Sequence, residues 1–289
     1  MELAGTELMN DPWAAYCAAR YVTLSIPSLE VEENAERKAA AALASWLTLE
    51  TDVAEYHARR CTLFRRERWL HDGFTIDLEP GLMRLLLDRL TVVGTEHAAD
   101  AIRNRGVLLV SLHYSLYSSV LIWWLTRVAA QGVFRRLFLL FRSTSMGRYL
   151  LHSRRLIETE ANGLFSQANV HFLDRTILGP AGAAARMLNE LKAGNTVFLL
   201  ADAALRPPGC KSLAVRVGNQ NVGLARGVSW LAEKSRCAVI PLYIRPHNDE
   251  GHAIVLAPPA DAKEAVQFLI DQTILVDPSP WDGWFHAPI

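Results

Sequence analysis

The chain has 289 residues, of which 51% are hydrophobic and 21% charged, and its 30 basic and 30 acidic side chains leave a formal net charge of zero. This composition excludes a disordered chain, a collagen repeat and a coiled coil, and it offers no broad cationic surface for nucleic acid. The basic residues are nearly all arginine, 25 against 5 lysines, which suits bidentate contact with carboxylates and phosphates but follows equally from a surface preference.

In chain order, residues 12–90 are Ala-rich and periodic and predict helices, broken near residues 25–30 and again near 73–81. Residues 1–10 carry acidic side chains and lack the basic start and apolar core of a signal peptide, so a cytoplasmic protein is expected. Cys17, Cys61, Cys210 and Cys237 are scattered without a CxxC pair, which fits a reducing compartment. The stretch HARRCTLFRRERWLH at residues 57–71 reads as a solvated helix surface laced with local ion pairs. Its functional alternative is a docking patch for an acidic carrier protein or an anionic bilayer.

From residue 90 onward, short apolar runs alternate with helical patterns. Strands are predicted at 90–93, 107–112, 137–141, 170–173, 196–201, 213–217, 238–244 and 253–256. Helices are predicted near 95–103, 114–130, 146–162, 181–192 and 222–235. Thr95 is the expected N-cap of the first of these helices, and Gly163 and Gly194 stand where two others should stop. Alternation of this kind implies βαβ units, hence an α/β fold with a mostly parallel central sheet flanked by helices. The segment VLLVSLHYSLYSSVLIWWL approaches the length of a membrane span. Its histidine and four serines divide it instead into a buried strand feeding a core helix. Peripheral contact with a membrane through Trp69, Trp123 or Trp124 stays open. The whole chain reads as one domain, residues 1–289, with a helical layer over about 1–90 on a core over about 91–289.

In open α/β sheets the functional crevice lies beyond the carboxyl ends of the strands. That rule selects His113, Arg142, Asp202 and the turn at Gly218 to Asn221. Asn221 and Arg226 are expected at the start of the following helix, where backbone N–H groups favour anions. No HExxH or HxH set occurs among the nine histidines, and no P-loop or GxGxxG is present, so no metal and no nucleotide cofactor are expected.

Five segments carry a resemblance to the lysophospholipid acyltransferase superfamily, and within it to the bacterial lipid A biosynthesis (lauroyl/myristoyl) branch. VVGTEHAADAIRNRGVLLVSLHYSLYSS resembles the block that delivers a histidine. LFLLFRSTSMGRYLLHSRR resembles the block in which an arginine closes a strand, and AARMLNELKAGNTVFLLADAA the one ending on Asp. LAVRVGNQNVGLARGVSWLAEKSRCAVIPLYIRP resembles a fourth, and DPSPWDGWFHAPI is similar to the terminal Pro-X-X-Trp signature, at residues 278–284. The resemblance covers roughly residues 90–289. It implies an acyltransferase that takes an acyl group from an acyl carrier protein or coenzyme A thioester, with the thioester as co-substrate and no other cofactor. His113 would be the general base toward a hydroxyl or amine acceptor. Arg142, Ser115, Gly218, Asn221 and Arg226 are the expected substrate-binding residues. The branch commonly has a membrane-anchoring N-terminal helix, for which this sequence shows no counterpart; a cytoplasmic protein, at most peripheral to the inner membrane, is expected.

One departure bears on mechanism. Where the family has a histidine followed by four residues and an acid, this chain has His113 and then Ser118. Serine accepts a hydrogen bond but carries no charge to stabilise an imidazolium. Another acid can take the place, with Asp202, Glu96 and Asp174 as candidates and Asp202 favoured by its strand-end position. Alternatively, the acceptor is reactive enough for a weaker base, or Ser115 or Ser118 has a covalent role. A further alternative is a non-catalytic relative that binds acyl chains or carrier protein as an accessory subunit.

Overall fold

The computed structural model describes residues 12–27, 29–77, 87–88, 90–114, 116–141, 169–202, 212–247 and 251–286. Three helices come first: α1 (Pro12–Ser25), α2 (Glu30–Leu47) and α3 (Thr51–Asp77). In α2, Ala39, Ala42, Leu43 and Trp46 are buried at spacings of three and four. In α3 the same is true of Ala54, Ala58, Cys61 and Thr62, so each helix presents one inward stripe. Gly73 lies inside α3 and does not end it; a single helical glycine costs about 1 kcal/mol, which tertiary context absorbs. The first break falls where expected, whereas the turn between α2 and α3, with Thr48 left-handed at φ 56°, has no glycine or proline to announce it.

The sheet then assembles from β1 (Leu90–Val93), β2 (Val107–Ser111), β3 (Leu137–Phe141), β4 (Val170–Asp174), β5 (Thr196–Leu200), β8 (Ala238–His247) and β9 (Gly251–Leu256). Its order is β1-β9-β8-β2-β5-β3-β4. The five strands β8, β2, β5, β3 and β4 are mutually parallel. β9 turns back antiparallel to β8 and pairs in parallel with β1. The protein is therefore a mixed α/β fold with a mostly parallel central sheet flanked by helices.

Helices α4 (Thr95–Asn104), α5 (Leu116–Ala130), α6 (Arg175–Lys192), α7 (Gly227–Ser235) and α8 (Ala262–Gln272) complete the layers. All five residues of β2 are buried. Leu108 and Val110 face a core shared with α2, α3, α6, α7, α8 and the C-terminal segment, and Val107 and Leu109 one shared with α4 and α5. A strand covered on both faces loses the alternating pattern and reads as a continuous apolar run, as residues 107–112 do. The long apolar stretch thus divides into β2 and α5. Among the described residues no helix is long and apolar enough to cross a membrane.

Three expectations change. Residues 222–235 are not one helix: β6 (Ser212–Val217) and β7 (Gln220–Ala225) form an antiparallel hairpin, and α7 starts only at Gly227. Gly218 is left-handed at φ 60°, the first central residue of a two-residue turn, and a Cβ there would lie 2.1 Å from the Trp46 carbonyl oxygen. Glycine is what this hairpin turn requires, and alternation across it, not a helical period, sets the local structure. The N-cap of α4 is Gly94, at φ 81°, instead of Thr95. Trp123 and Trp124 are 0% and 8% exposed, packed against the sheet, and so cannot meet a bilayer surface. The helix expected at 146–162, Gly163 and the side chain of Trp69 lie outside the described residues.

Candidate active site

β2 and β5 pair in parallel from Val107↔Thr196 to Ser111↔Leu200. The register continues past the last ladder pair, where the N–H of Ala201 donates to the carbonyl of Ser111 at 2.8 Å. Two residues beyond each strand the same offset of 89 brings His113 opposite Asp202. The pairing is thus a product of sheet register at the carboxyl end of two adjacent strands.

Asp202 Oδ1 accepts from the backbone N–H of His113 and from its ring Nδ1, each at 2.8 Å. Because an ionised carboxylate only accepts, Nδ1 carries the hydrogen and Nε2 keeps its lone pair in the neutral ring. The other carboxylate oxygen, Oδ2, accepts from the indole Nε1–H of Trp281 at 2.7 Å. The Asp202 side chain is 2% exposed and that of His113 32%, so the acid is sealed while the ring stays reachable.

The electrostatics follow from this packing. Burial is the strongest single influence on Asp202 and disfavours its charge. The charge of His113, its ring and backbone hydrogen bonds and that of Trp281 outweigh it and hold the carboxyl below its ordinary range. For His113, burial again works hardest against the charged form, yet the charge and hydrogen bond of Asp202, with a smaller push from Asp282, hold the imidazole above its ordinary value. Asp282 is raised, mainly by burial, although Arg68 and His113 oppose the shift.

The C-terminal segment closes this end of the sheet. The N–H of Asp282 donates to the His113 carbonyl at 3.2 Å, and the Asp282 carboxylate accepts from Arg68 of α3 at 2.7 Å. Arg60, about two turns earlier on the same helix, forks onto Asp277 at 3.2 and 3.0 Å. His57 Nδ1 lies 2.8 Å from the Ser279 hydroxyl, and the Tyr114 hydroxyl donates to the Asp277 carbonyl. Trp284 packs edge-on against Trp281, with ring centroids 4.8 Å apart, and against Trp46 of α2 at 5.7 Å. Its indole donates to the Pro278 carbonyl at 2.7 Å.

The arginine-rich stretch of α3 does form ion pairs, but to distant partners: Arg60 to Asp277, Arg66 to Glu32 and Arg68 to Asp282. Arg65 lies over the Phe285 ring at 4.3 Å.

Of the acids considered for His113, only Asp202 is hydrogen-bonded to it. Glu96 is on the first turn of α4, 3.7 Å from His97. Asp174 caps α6 through the N–H of Thr176 at 2.7 Å, on the edge strand. Ser118 is on the first turn of α5; its side chain, like Ser115 and Arg142, lies outside the described residues. Gly218 and Asn221 belong to the β6–β7 hairpin, whose turn packs on the end of α2: the Asn219 side chain donates to the Ser45 carbonyl at 2.8 Å. Asn221 pairs with Arg216 across that hairpin and starts no helix, while Arg226 is the residue preceding α7. Nothing local in the sequence assigns Trp281 or Arg68 to the site. Trp281 is 79 residues from Asp202 in sequence, and only its place in the terminal Pro-X-X-Trp segment marked it out. Among the described residues no group of three His, Cys, Asp or Glu side chains has a metal-holding arrangement.

No protein-family model matches the chain, and no curated protein does. Among solved structures, the crystal structure of the 1-acyl-sn-glycerophosphate (LPA) acyltransferase PlsC from Thermotoga maritima is similar. It shares 13% identity over 85% of this chain and 94% of that chain, with a TM-score of 0.37.

Proposed function

We propose that the protein is an acyltransferase in which His113 is the general base and Asp202 its orienting acid. The observation that carries this reading is the hydrogen bond from His113 Nδ1 to a buried carboxylate on the adjacent strand. It fixes the tautomer that a base needs and favours the imidazolium that forms when the base takes a proton. The resemblance in sequence around His113 supports acyl transfer as the reaction, and Asp202 supplies the charge that Ser118 lacks.

In the reaction, an acceptor hydroxyl or amine gives its proton to Nε2 of His113 as its oxygen or nitrogen bonds to the thioester carbonyl carbon. The tetrahedral intermediate then collapses with cleavage of the carbon–sulfur bond, and the departing thiolate takes the proton from the imidazolium. The thioester of an acyl carrier protein or coenzyme A supplies the acyl group, and no resident cofactor takes part.

The test is incubation with a panel of acyl thioesters and with alcohol and amine acceptors, scored by mass spectrometry, for the wild type and His113→Ala. Loss of transfer in the variant is expected. Transfer that persists unchanged without the imidazole sinks the reading, as does a wild type that turns over no thioester with any acceptor. In the latter case, retention of an acyl-carrier complex would point to an accessory subunit.

A further inference from the structure

The carboxylate of Asp202 is almost wholly removed from water, so both of its oxygens need donors from the protein. Both N–H groups of His113 converge on Oδ1. On Oδ2 the donor is an indole 1% exposed, delivered from a segment that follows the last long helix.

That indole is held with some precision. Gly283 lies against its six-membered ring, where a Cβ would come within 2.3 Å of two ring carbons. Trp284 packs at its edge, and the segment is fastened to α3 on either side, at Asp277 by Arg60 and at Asp282 by Arg68. At the second fastening the backbone N–H of Asp282 reaches the carbonyl of His113. One short segment therefore grips both members of the dyad, one by a side chain and the other by the main chain.

We infer that Trp281 is a positioning residue of this site: its indole N–H, carried by the C-terminal segment that Arg60 and Arg68 fasten to α3, holds the Asp202 carboxylate in place for His113. The inference rests on the proposed role of the dyad. Besides anchoring the carboxylate, the N–H draws charge off it. Without that donor the carboxylate is a stronger acceptor, binds the imidazolium more tightly, and leaves less of His113 as free base near neutral pH. Among the described residues the charged groups that act on His113 are Asp202 beyond β5, Asp282 on the C-terminal segment and Arg68 on α3, and Trp281→Phe alters none of them directly.

Trp281→Phe keeps an aromatic ring in the pocket and removes the N–H. The test measures the imidazole titration of His113 by NMR, with histidine labelled at Cε1 and the signal assigned by its loss in His113→Ala. Alongside it runs the pH profile of kcat/KM. The expected result is a titration displaced to higher pH, the ascending limb of the profile displaced with it, and a fall of about tenfold at pH 7, the effect of one charge-assisted hydrogen bond. A folded variant whose His113 titrates as in the wild type, or at lower pH, overturns the inference.

A second measurement needs no Trp281 variant. Of the eight tryptophan indole N–H resonances, one should follow the His113 titration and move in Asp202→Asn; if none does, the inference fails. Neither titration requires substrate. A wild type inert toward every thioester would sink the acyltransferase reading while leaving this contact measured in its own right.

Discussion

Replacing Asp202 by asparagine keeps the shape of the side chain and removes the charge on which the proposed role of His113 depends. Among the described residues three N–H groups point at the carboxylate, two from His113 on Oδ1 and one from Trp281 on Oδ2. An amide satisfies only part of that set. With its oxygen toward His113, its NH₂ faces the indole N–H. Turned around, its NH₂ faces the backbone N–H of His113 and forces Nδ1 to accept, which moves the ring hydrogen to Nε2 and abolishes the base. In a serine-protease triad the same neutralisation lowers turnover by about 10⁴, equivalent to roughly 5.5 kcal/mol.

A loss of that order is expected for Asp202→Asn in single-turnover consumption of acyl thioester, with thermal melting as the control for folding. The stability of the pair has a pH signature as well. His113 is held above its ordinary value of 6.5, so its contribution is complete below that pH and fades as pH rises through the elevated folded-state value. Asp202 is held below its ordinary value of 3.8, so its contribution is present above that pH and lost as pH falls through the lowered value. The gap in melting temperature between wild type and variant should therefore be widest from about pH 4 to 6.5 and narrow on either side. Turnover within tenfold of wild type, or a gap that does not change with pH, would refute the assignment of Asp202 as partner of His113.

Other perturbations separate the remaining contacts. Ser118→Glu places an acid where the resembled family has one; since Nδ1 of His113 is already taken by Asp202, turnover should not rise, and a tenfold gain would show that Asp202 is an incomplete substitute. Gly218→Ala puts a Cβ within 2.1 Å of the Trp46 carbonyl at a φ of 60°. Backbone strain alone should cost about 1 to 2 kcal/mol, with the clash adding to it, read as a lower midpoint in urea. Arg60→Met breaks the fork onto Asp277, but both side chains are about one-third exposed. The loss should stay below about 1 kcal/mol and shrink with added salt, and a larger, salt-independent loss would show that the segment depends on this one pair.

His113 and Asp202 were both legible in the sequence, because each follows an apolar run of strand length and parallel sheets gather function at strand ends. What the sequence did not carry was the distance between them, which depends on β5 lying beside β2 although β3 and β4 intervene in the chain. The second strand of the hairpin at Gly218 is masked in the sequence for a local reason. Gly218 and Asn219 sit between two alternating runs, a turn signal, but the apolar residues from Val222 onward also satisfy a helical period. The arginines of α3 announced ion pairing, yet their partners are more than 30 residues away for Arg66 and more than 200 for Arg60 and Arg68. Trp281 and its contact were hidden for the same reason.

The common offset of β2 and β5 has a consequence for how this protein tolerates change. Leu112 and Ala201 stand between the last ladder pair and the dyad, and nothing in the geometry of the site depends on the chemistry of Ala201 beyond its being small and buried. Their number matters more than their identity. Deleting or duplicating one residue in either two-residue step would carry His113 or Asp202 past its partner and reverse the side to which it points, whereas conservative replacement there would leave the dyad in register. Length variation should thus be excluded from these two steps even where substitution is free.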